Sequence, residues 1–307
     1  MPTTYNILKE ARVYLVYSGA TTRLDVTEEL SFSQTFTDKT YPQKTLHEQH
    51  KLHDASNVKK ANPASFELTI PALTQNTLAV IFNLLVDTSS DTLNTFDLYI
   101  KLPNDLYKLE KCVITNGTFI IEKLENLKLS IQGQASKLTS KKATSLAVPG
   151  SNYIARGTRT EQLIRYITAS VDGTDITDGL FSVSVELQNE IKWTPYETVN
   201  DALLVTNEAT SMYPSNFTLN KRTLSGSLGQ YITSDFDSDV QTWGTNVDIV
   251  IEAGESDELG QGFQFDLSNC TFTNRANVTD VFTQLYDWKM NDNPTDLGTK
   301  VKFNNIA

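Results

Sequence analysis

The only three histidines of this chain, His47, His50 and His53, fall within the octapeptide Leu-His-Glu-Gln-His-Lys-Leu-His. Imidazoles crowded this closely suggest a metal site or a proton relay. On a helix, each step of three residues turns the side chain by about 300°, which leaves the outer two histidines about 120° apart. On a strand the outer two share a face and His50 points away. Neither geometry gathers three nitrogens on one ion, so a solvated or interface loop is the better reading. The other routes to chemistry are also closed. There is no Gly-x-Ser-x-Gly elbow and no glycine-rich phosphate loop, and no histidine lies elsewhere to serve a distant Ser or Cys. Asp235, Asp237 and Asp239 alternate as in a calcium loop, but the required Gly and the later Glu are missing. They read as a polar cap beside a short helix. The sequence predicts no catalytic residue, no metal ligand and no cofactor.

The scaffold around these residues is informative. With 307 residues and 39% hydrophobic content, the chain can bury one large core or two smaller ones. Two cysteines are too few for a disulfide framework and lack zinc spacing. The longest apolar run, residues 78–86, contains Asn83 and is less than half of a membrane span. No secretory leader is visible at the start, so the three Asn-x-Thr triplets carry no glycosylation signal. Charge is uneven. Residues 1–150 hold 16 basic and 15 acidic side chains, whereas residues 151–307 hold 10 and 22. No basic stripe offers tight phosphate binding.

The two halves resemble each other. Shifted by 151 residues, Leu30, Phe32, Gln34 and Phe36 fall on Phe181, Val183, Val185 and Leu187. Pro63, Phe66 and Leu68 fall on Pro214, Phe217 and Leu219, and Phe96-Asp97-Leu98 falls on Val247-Asp248-Ile249. Seven extra residues lie in the acidic Gly-Glu-Ser-Asp-Glu-Leu-Gly-Gln-Gly stretch of the second half, after which Cys112 falls on Cys270. This predicts a duplicated unit in which each cysteine is a buried core thiol. Period-two alternation predicts strands over 30–36, 65–70, 96–100, 127–131 and 181–187. Leu78, Ile81, Phe82 and Leu85 mark an amphipathic helix within 72–86, and a weaker one is expected at about 225–243. Residues 137–160 lack periodicity and read as a linker. The expected fold is mainly β, with some α: two tandem sandwich-like or barrel-like domains, each of six or seven strands with one flanking helix and a long inter-strand arm. The domains cover 1–140 and 161–307, with the linker at 141–160.

Each half has a connection of nearly 30 residues, at 37–64 and about 188–215, and such loops tend to be functional. The second is apolar enough to call for a covering partner. Arm candidates are Tyr41, Leu46, His47, His50, His53 and Val58, with Trp193, Tyr196, Leu203 and Leu204. Along the strands, one face is apolar: Leu30, Phe32, Phe36, Phe66 and Leu68, and Phe181, Val183, Val185, Phe217 and Leu219. The other is small, polar or acidic: Ser31, Ser33, Thr35, Ser65, Glu67 and Thr69, and Ser182, Ser184, Glu186, Asn216, Thr218 and Asn220. These positions include no Lys or Arg.

The opening Asn6-Ile-Leu-Lys-Glu-Ala-Arg-Val-Tyr14, the strand Leu30–Phe36, the later strand Ser65–Ile70 and the duplicated layout resemble the tail tube proteins of long-tailed (siphovirus-type) bacteriophages. The likeness is to the variety whose subunit holds two tube domains and forms trimeric, pseudo-hexameric rings. The resemblance implies a structural virion protein, the major tail tube subunit, and no enzyme. Stacked rings would surround a channel lined by the polar face, and DNA would pass through during ejection without sequence-specific contact. The arms would reach neighbouring subunits. Implied partners are further copies of the chain and tape-measure and tail-terminator-type virion proteins, with no membrane. Assembly is expected in the bacterial cytoplasm and residence in the virion tail. Two alternatives stand beside this. The tube of a contractile tail or secretion-type injector is disfavoured by the duplication, because such subunits are usually single-domain hexamers. A two-domain β-sandwich carbohydrate-binding or adhesion module would present aromatic platforms, and here Trp193, Trp243 and Trp288 sit at positions unmatched between the halves.

Overall fold

The computed structural model describes residues 10–24, 29–43, 53–72, 75–85, 93–142, 147–149, 163–193, 212–232, 246–255, 262–278 and 282–291. Strands β1 (Arg12–Tyr17) and β2 (Ala20–Leu24) form a hairpin, followed by β3 (Leu30–Ser33), β4 (Phe36–Gln43), β5 (His53–Ala61), β6 (Ala64–Ile70) and helix α1 (Gln75–Leu85). Then come β7 (Phe96–Lys101), the long β8 (Asp105–Glu122), β9 (Lys128–Ala135) and β10 (Lys137–Lys142). The second half contains β11 (Tyr166–Val171), β12 (Thr174–Asp175), β13 (Leu180–Trp193), β14 (Phe217–Tyr231), β15 (Val247–Gly254), β16 (Gly262–Val278) and β17 (Phe282–Met290). The mainly-β expectation holds, and among the described residues all strand pairing is antiparallel.

The same order of pairings occurs twice. In the first half the neighbours run β2, β1, β7, β8, β9, β6, β3, and in the second β12, β11, β15, β16, β17, β14, β13. One device recurs in both. β8 bulges where Lys111 takes a positive φ of 51°, and the Asp97 carboxylate accepts the Lys111 amide at 3.0 Å. β16 bulges at Asn269, φ 56°, whose amide is accepted by Asp248 at 3.0 Å. Each bulge directly precedes a buried cysteine, Cys112 or Cys270. The extra residue in the strand sharpens its bend, and both parts of the strand contribute to one core. Phe66 of β6 and Phe96 of β7 meet edge to face across that core, at 6.0 Å between ring centroids.

The halves are fused by backbone. β13 pairs with the second part of β8, Ser182 opposite Glu122 through Gln188 opposite Asn116. Phe119 of β8 packs on Phe265 of β16 at 5.8 Å. Where β8 bulges at Thr115, the carbonyl of Ile114 accepts Asn189 Nδ2 at 3.1 Å.

Several expectations are corrected. The single 151-residue shift holds at β7 and β15 but not throughout. The row Val113–Gln134–Ser65–Ser33 corresponds to Thr271–Lys289–Ser225–Glu186, each starting one residue after its cysteine. Ser65 therefore matches Ser225 rather than Asn216, and Ser33 matches Glu186 rather than Ser184. Residues 225–231, expected in a second helix, are strand β14, while 233–245 lie outside the described residues. Residues 137–142 of the expected linker are strand β10, paired to β8. The first arm is not irregular: β4 and β5 form a two-stranded hairpin. In the first half the helix stripe holds, with Ile81, Phe82 and Leu85 buried.

Candidate functional site

The polar side of the long sheet is the surface with the most organised side chains. Antiparallel register aligns residues in rows across strands β3, β6, β9, β8, β13, β14, β17 and β16. One row runs Ser31, Glu67, Gln132, Asn116, Gln188, Thr223. The next runs Thr69, Ser130, Thr118, Glu186, Ser225, Lys289, Thr271. Alternate residues of the same strands, such as Leu68, Ile131, Phe119, Val185 and Leu187, are buried beneath. The period-two pattern thus does what it must: one side seals the core and the other stays wet.

The carboxylates of this face are tied to neighbouring amides. Glu67 Oε1 accepts Gln132 Nε2 at 2.9 Å. Glu186 Oε1 accepts Asn116 Nδ2 and Gln188 Nε2, both at 3.0 Å, across the joint between the halves. Hydroxyl pairs bridge strands, Ser33 with Ser65 at 3.0 Å and Ser184 with Ser227 at 2.8 Å. These cross-strand contacts order the face without creating an acid–base pair or a nucleophile with a base. Among the described residues no group of His, Cys, Asp and Glu is arranged to hold a metal ion.

Ser31, Ser33, Ser65, Glu67, Ser182, Ser184 and Glu186 all lie on this face, as does Thr218 opposite Lys192. Thr35 is exposed just beyond β3, and Asn216 is exposed just before β14. Three expectations change. Thr69 is buried, its amide bonded to the Glu29 carbonyl. Asn220 sits in a bulge between Glu190 and Ile191 pairings, which flips the alternation of β14 so that Lys221, Thr223 and Ser225 take over the polar side. Phe181, expected on the apolar side, is thrown over by an irregularity between Leu180 and Ser182, and its ring packs, tilted by 36°, on Tyr231 at 4.5 Å. A side chain at Gly229 would meet that ring at 2.7 Å, which is why glycine stands there.

The face also carries cations that the sequence pattern missed. Register adds Lys192, Lys221, Lys289 and Lys128 to it, and Arg275, whose guanidinium bonds Asp287 at 2.8 Å. Lys128 falls within the predicted strand 127–131, whereas the other four lie outside the segments in which alternation marks a strand. They interleave with Glu67, Glu122, Glu186, Glu190 and Asp287, so the face is mixed rather than single-signed.

Of the arm candidates, Tyr41, Val58 and His53 belong to the β4–β5 hairpin, opposite Ser56, Lys39 and Gln43. Trp193 ends β13 with its ring on Phe217 at 5.3 Å. Leu46, His47, His50, Tyr196, Leu203 and Leu204 lie outside the described residues, as do Asp235, Asp237, Asp239 and Trp243. Trp288 is buried, so it offers no platform to a sugar. The returning end of the second arm is anchored on the first half. Ala61 N donates to Met212 O at 2.9 Å, the Ser136 hydroxyl donates to the Pro214 carbonyl at 2.5 Å, and Lys137 lies over the Tyr213 ring at 4.8 Å.

A family model described as the Bacteriophage Baseplate Tube Protein Family matches residues 3–306. No curated protein matches the chain. With nearly its whole length matched, the chain belongs to the baseplate tube family, a family of structural components of the phage tail.

Proposed function

We propose that this baseplate tube family member assembles as rings of three chains, each chain supplying two equivalent four-strand sheets, and that the polar face lines a channel for genome DNA. The observation that carries this reading is the joint between the halves. β13, the second-half counterpart of β3, completes the outer edge of β8. Among the described residues, the outer edge of β3 and that of the second part of β16 have no strand partner. The β8–β13 joint can therefore be repeated between chains as β16 against β3, until the sheet closes on itself. Closure removes both open edges, which would otherwise invite irregular aggregation. The register of the intrachain joint transfers directly. Glu186 stands opposite Thr118, so Ser33 of one chain stands opposite Arg275 of the next.

Such a channel would present hydroxyls, amides and carboxylates held by amides, with cations spaced among acids. Polyanion binding strengthens with each phosphate neutralised by a clustered Lys or Arg. An interleaved face gives DNA no continuous hold. Stacked rings would form the tube, with tape-measure and terminator-type proteins at its interior and end, assembled in the host cytoplasm. The finer assignment to the major tube subunit of a siphovirus-type tail belongs to this proposal, and copies per virion separate it from a short baseplate tube.

Negative-stain microscopy with light-scattering mass over a concentration series tests the ring. Trimer-mass rings support it. A chain that stays monomeric at every concentration, and in the presence of the other tail proteins, removes it.

A further inference from the structure

The strands of the polar sheet end in two unlike surfaces. At one end Phe282 is 60% exposed, Leu124 71% and Tyr231 42%. Ile232 N donates to Phe282 O at 3.0 Å, the Tyr231 ring packs on Phe181, and Ser182 stands opposite Glu122, two residues before Leu124, so these side chains belong to one rim. The charges beside them are mainly acidic: Glu122, Glu125 and Asp178 are exposed, with Lys123 among them. At the other end Phe36 is 50% exposed and meets Tyr213 edge-on at 6.5 Å. Here the exposed charges are mainly basic: Lys111, Lys192 and Lys221, with Glu190 among them. The Lys111 ammonium donates to the Ser215 carbonyl at 3.3 Å, which fixes it at this rim.

We infer that these two rims are the two halves of one contact between copies of this chain, the acidic Phe282 rim of one copy seating on the basic Phe36 rim of the next. Large exposed aromatics on a soluble chain mark surfaces that are covered in the assembled state. The opposite charge around them suits each rim to the other and sets each against itself, since like charges oppose self-pairing. Because the two rims lie at opposite ends of the strands, a contact between them adds copies along the strand direction without closing, and so propagates as a polar, one-directional stack. The inference rests on the tube reading only for the unit that stacks, a ring of three chains.

Phe282→Glu and Phe36→Glu test it, both at exposed positions, with thermal melts checking that each variant folds. Sedimentation velocity and electron microscopy at low salt are expected to show multi-ring stacks for the unaltered chain. Either variant alone stops at single rings, its stacking affinity reduced about thirtyfold or more, as for loss of a central aromatic anchor. An equimolar mixture forms ring pairs and nothing longer, because one intact Phe282 rim and one intact Phe36 rim remain. Raising salt from about 0.05 to about 0.5 M weakens stacking of the unaltered chain. Full stacks in either variant, ring pairs from one variant alone, or an unaltered chain that never associates end to end would overturn the inference. Failure of the ring reading looks different: single chains, rather than rings, would add end to end, and Phe282→Glu would still block them.

Discussion

The Asp97 carboxylate accepts the backbone amide of Lys111 at 3.0 Å, holding a non-glycine residue at φ 51° inside a strand. Its second oxygen bonds the Lys108 ammonium at 3.0 Å. Asp248 repeats the amide contact with Asn269 but has a different neighbourhood, its own amide donating to Asp172 at 2.8 Å. A left-handed residue costs about 1 kcal/mol, less for Asn than for Lys. Asp97→Ala is expected to destabilise by about 1–3 kcal/mol, since it strips both the bulge amide and Lys108 of an acceptor. Denaturant melts of Asp97→Ala and Asp248→Ala check this, with the larger loss expected at Asp97.

How much of this could be read from sequence varies by element. Strands β6, β7 and β9 were legible because each alternates strictly and needs no outside information. The cysteine match was legible because both sit next to equivalent bulges. The one-shift alignment failed where strands changed length: the gap between paired strands spans 43–53 in the first half and 193–217 in the second. Bulges at Asn220, Thr115 and Phe181 were invisible because one inserted residue reverses the phase of every side chain that follows. Apart from Lys128, the cations of the polar face lie outside the segments in which alternation marks a strand.

Gly226 should tolerate no side chain. A Cβ there would collide with the Ser184 carbonyl oxygen and come within 2.5 Å of the Trp288 ring, on both sides of a central strand. Gly226→Ala is expected to cost about 2–4 kcal/mol, at the upper end of overpacking losses because backbone is involved. A thermal melt shows it as a lowered midpoint; an unchanged midpoint would mean that β13 and β14 are further apart than here.

Burial pushes the Cys112 thiol well above its ordinary value. For Lys108 burial acts downward, but the Asp97 and Glu110 carboxylates outweigh it and hold the ammonium above its ordinary value. Both groups keep their proton more tightly folded than unfolded. Their contribution is therefore fully present below the unfolded values and is lost as pH rises through the folded ones. Stability should fall as pH climbs past about 8.5, where an unfolded thiol begins to ionise. Cys112→Ala should flatten the start of that decline, and native Cys112 should resist iodoacetamide.

On the polar face, Glu67→Lys and Glu186→Lys should leave folding and ring assembly intact while slowing DNA release. Both carboxylates are on the open side of the sheet, so their loss frees only amides that water can satisfy. In phage carrying both changes, added cations in the channel would retain phosphate, and raised salt should partly restore release. Unchanged release kinetics would place this face outside the channel.

The central claim is that the joint between β8 and β13 repeats between chains as β16 against β3. Ser33→Cys combined with Arg275→Cys tests it most directly, because the native cysteines are buried and the transferred register puts the two new thiols opposite each other. Mild oxidation of the assembled protein is expected to give covalent dimers and trimers on a denaturing gel, ending at the trimer, while each single variant gives neither series. A double variant that forms rings yet yields no interchain disulfide would contradict the account.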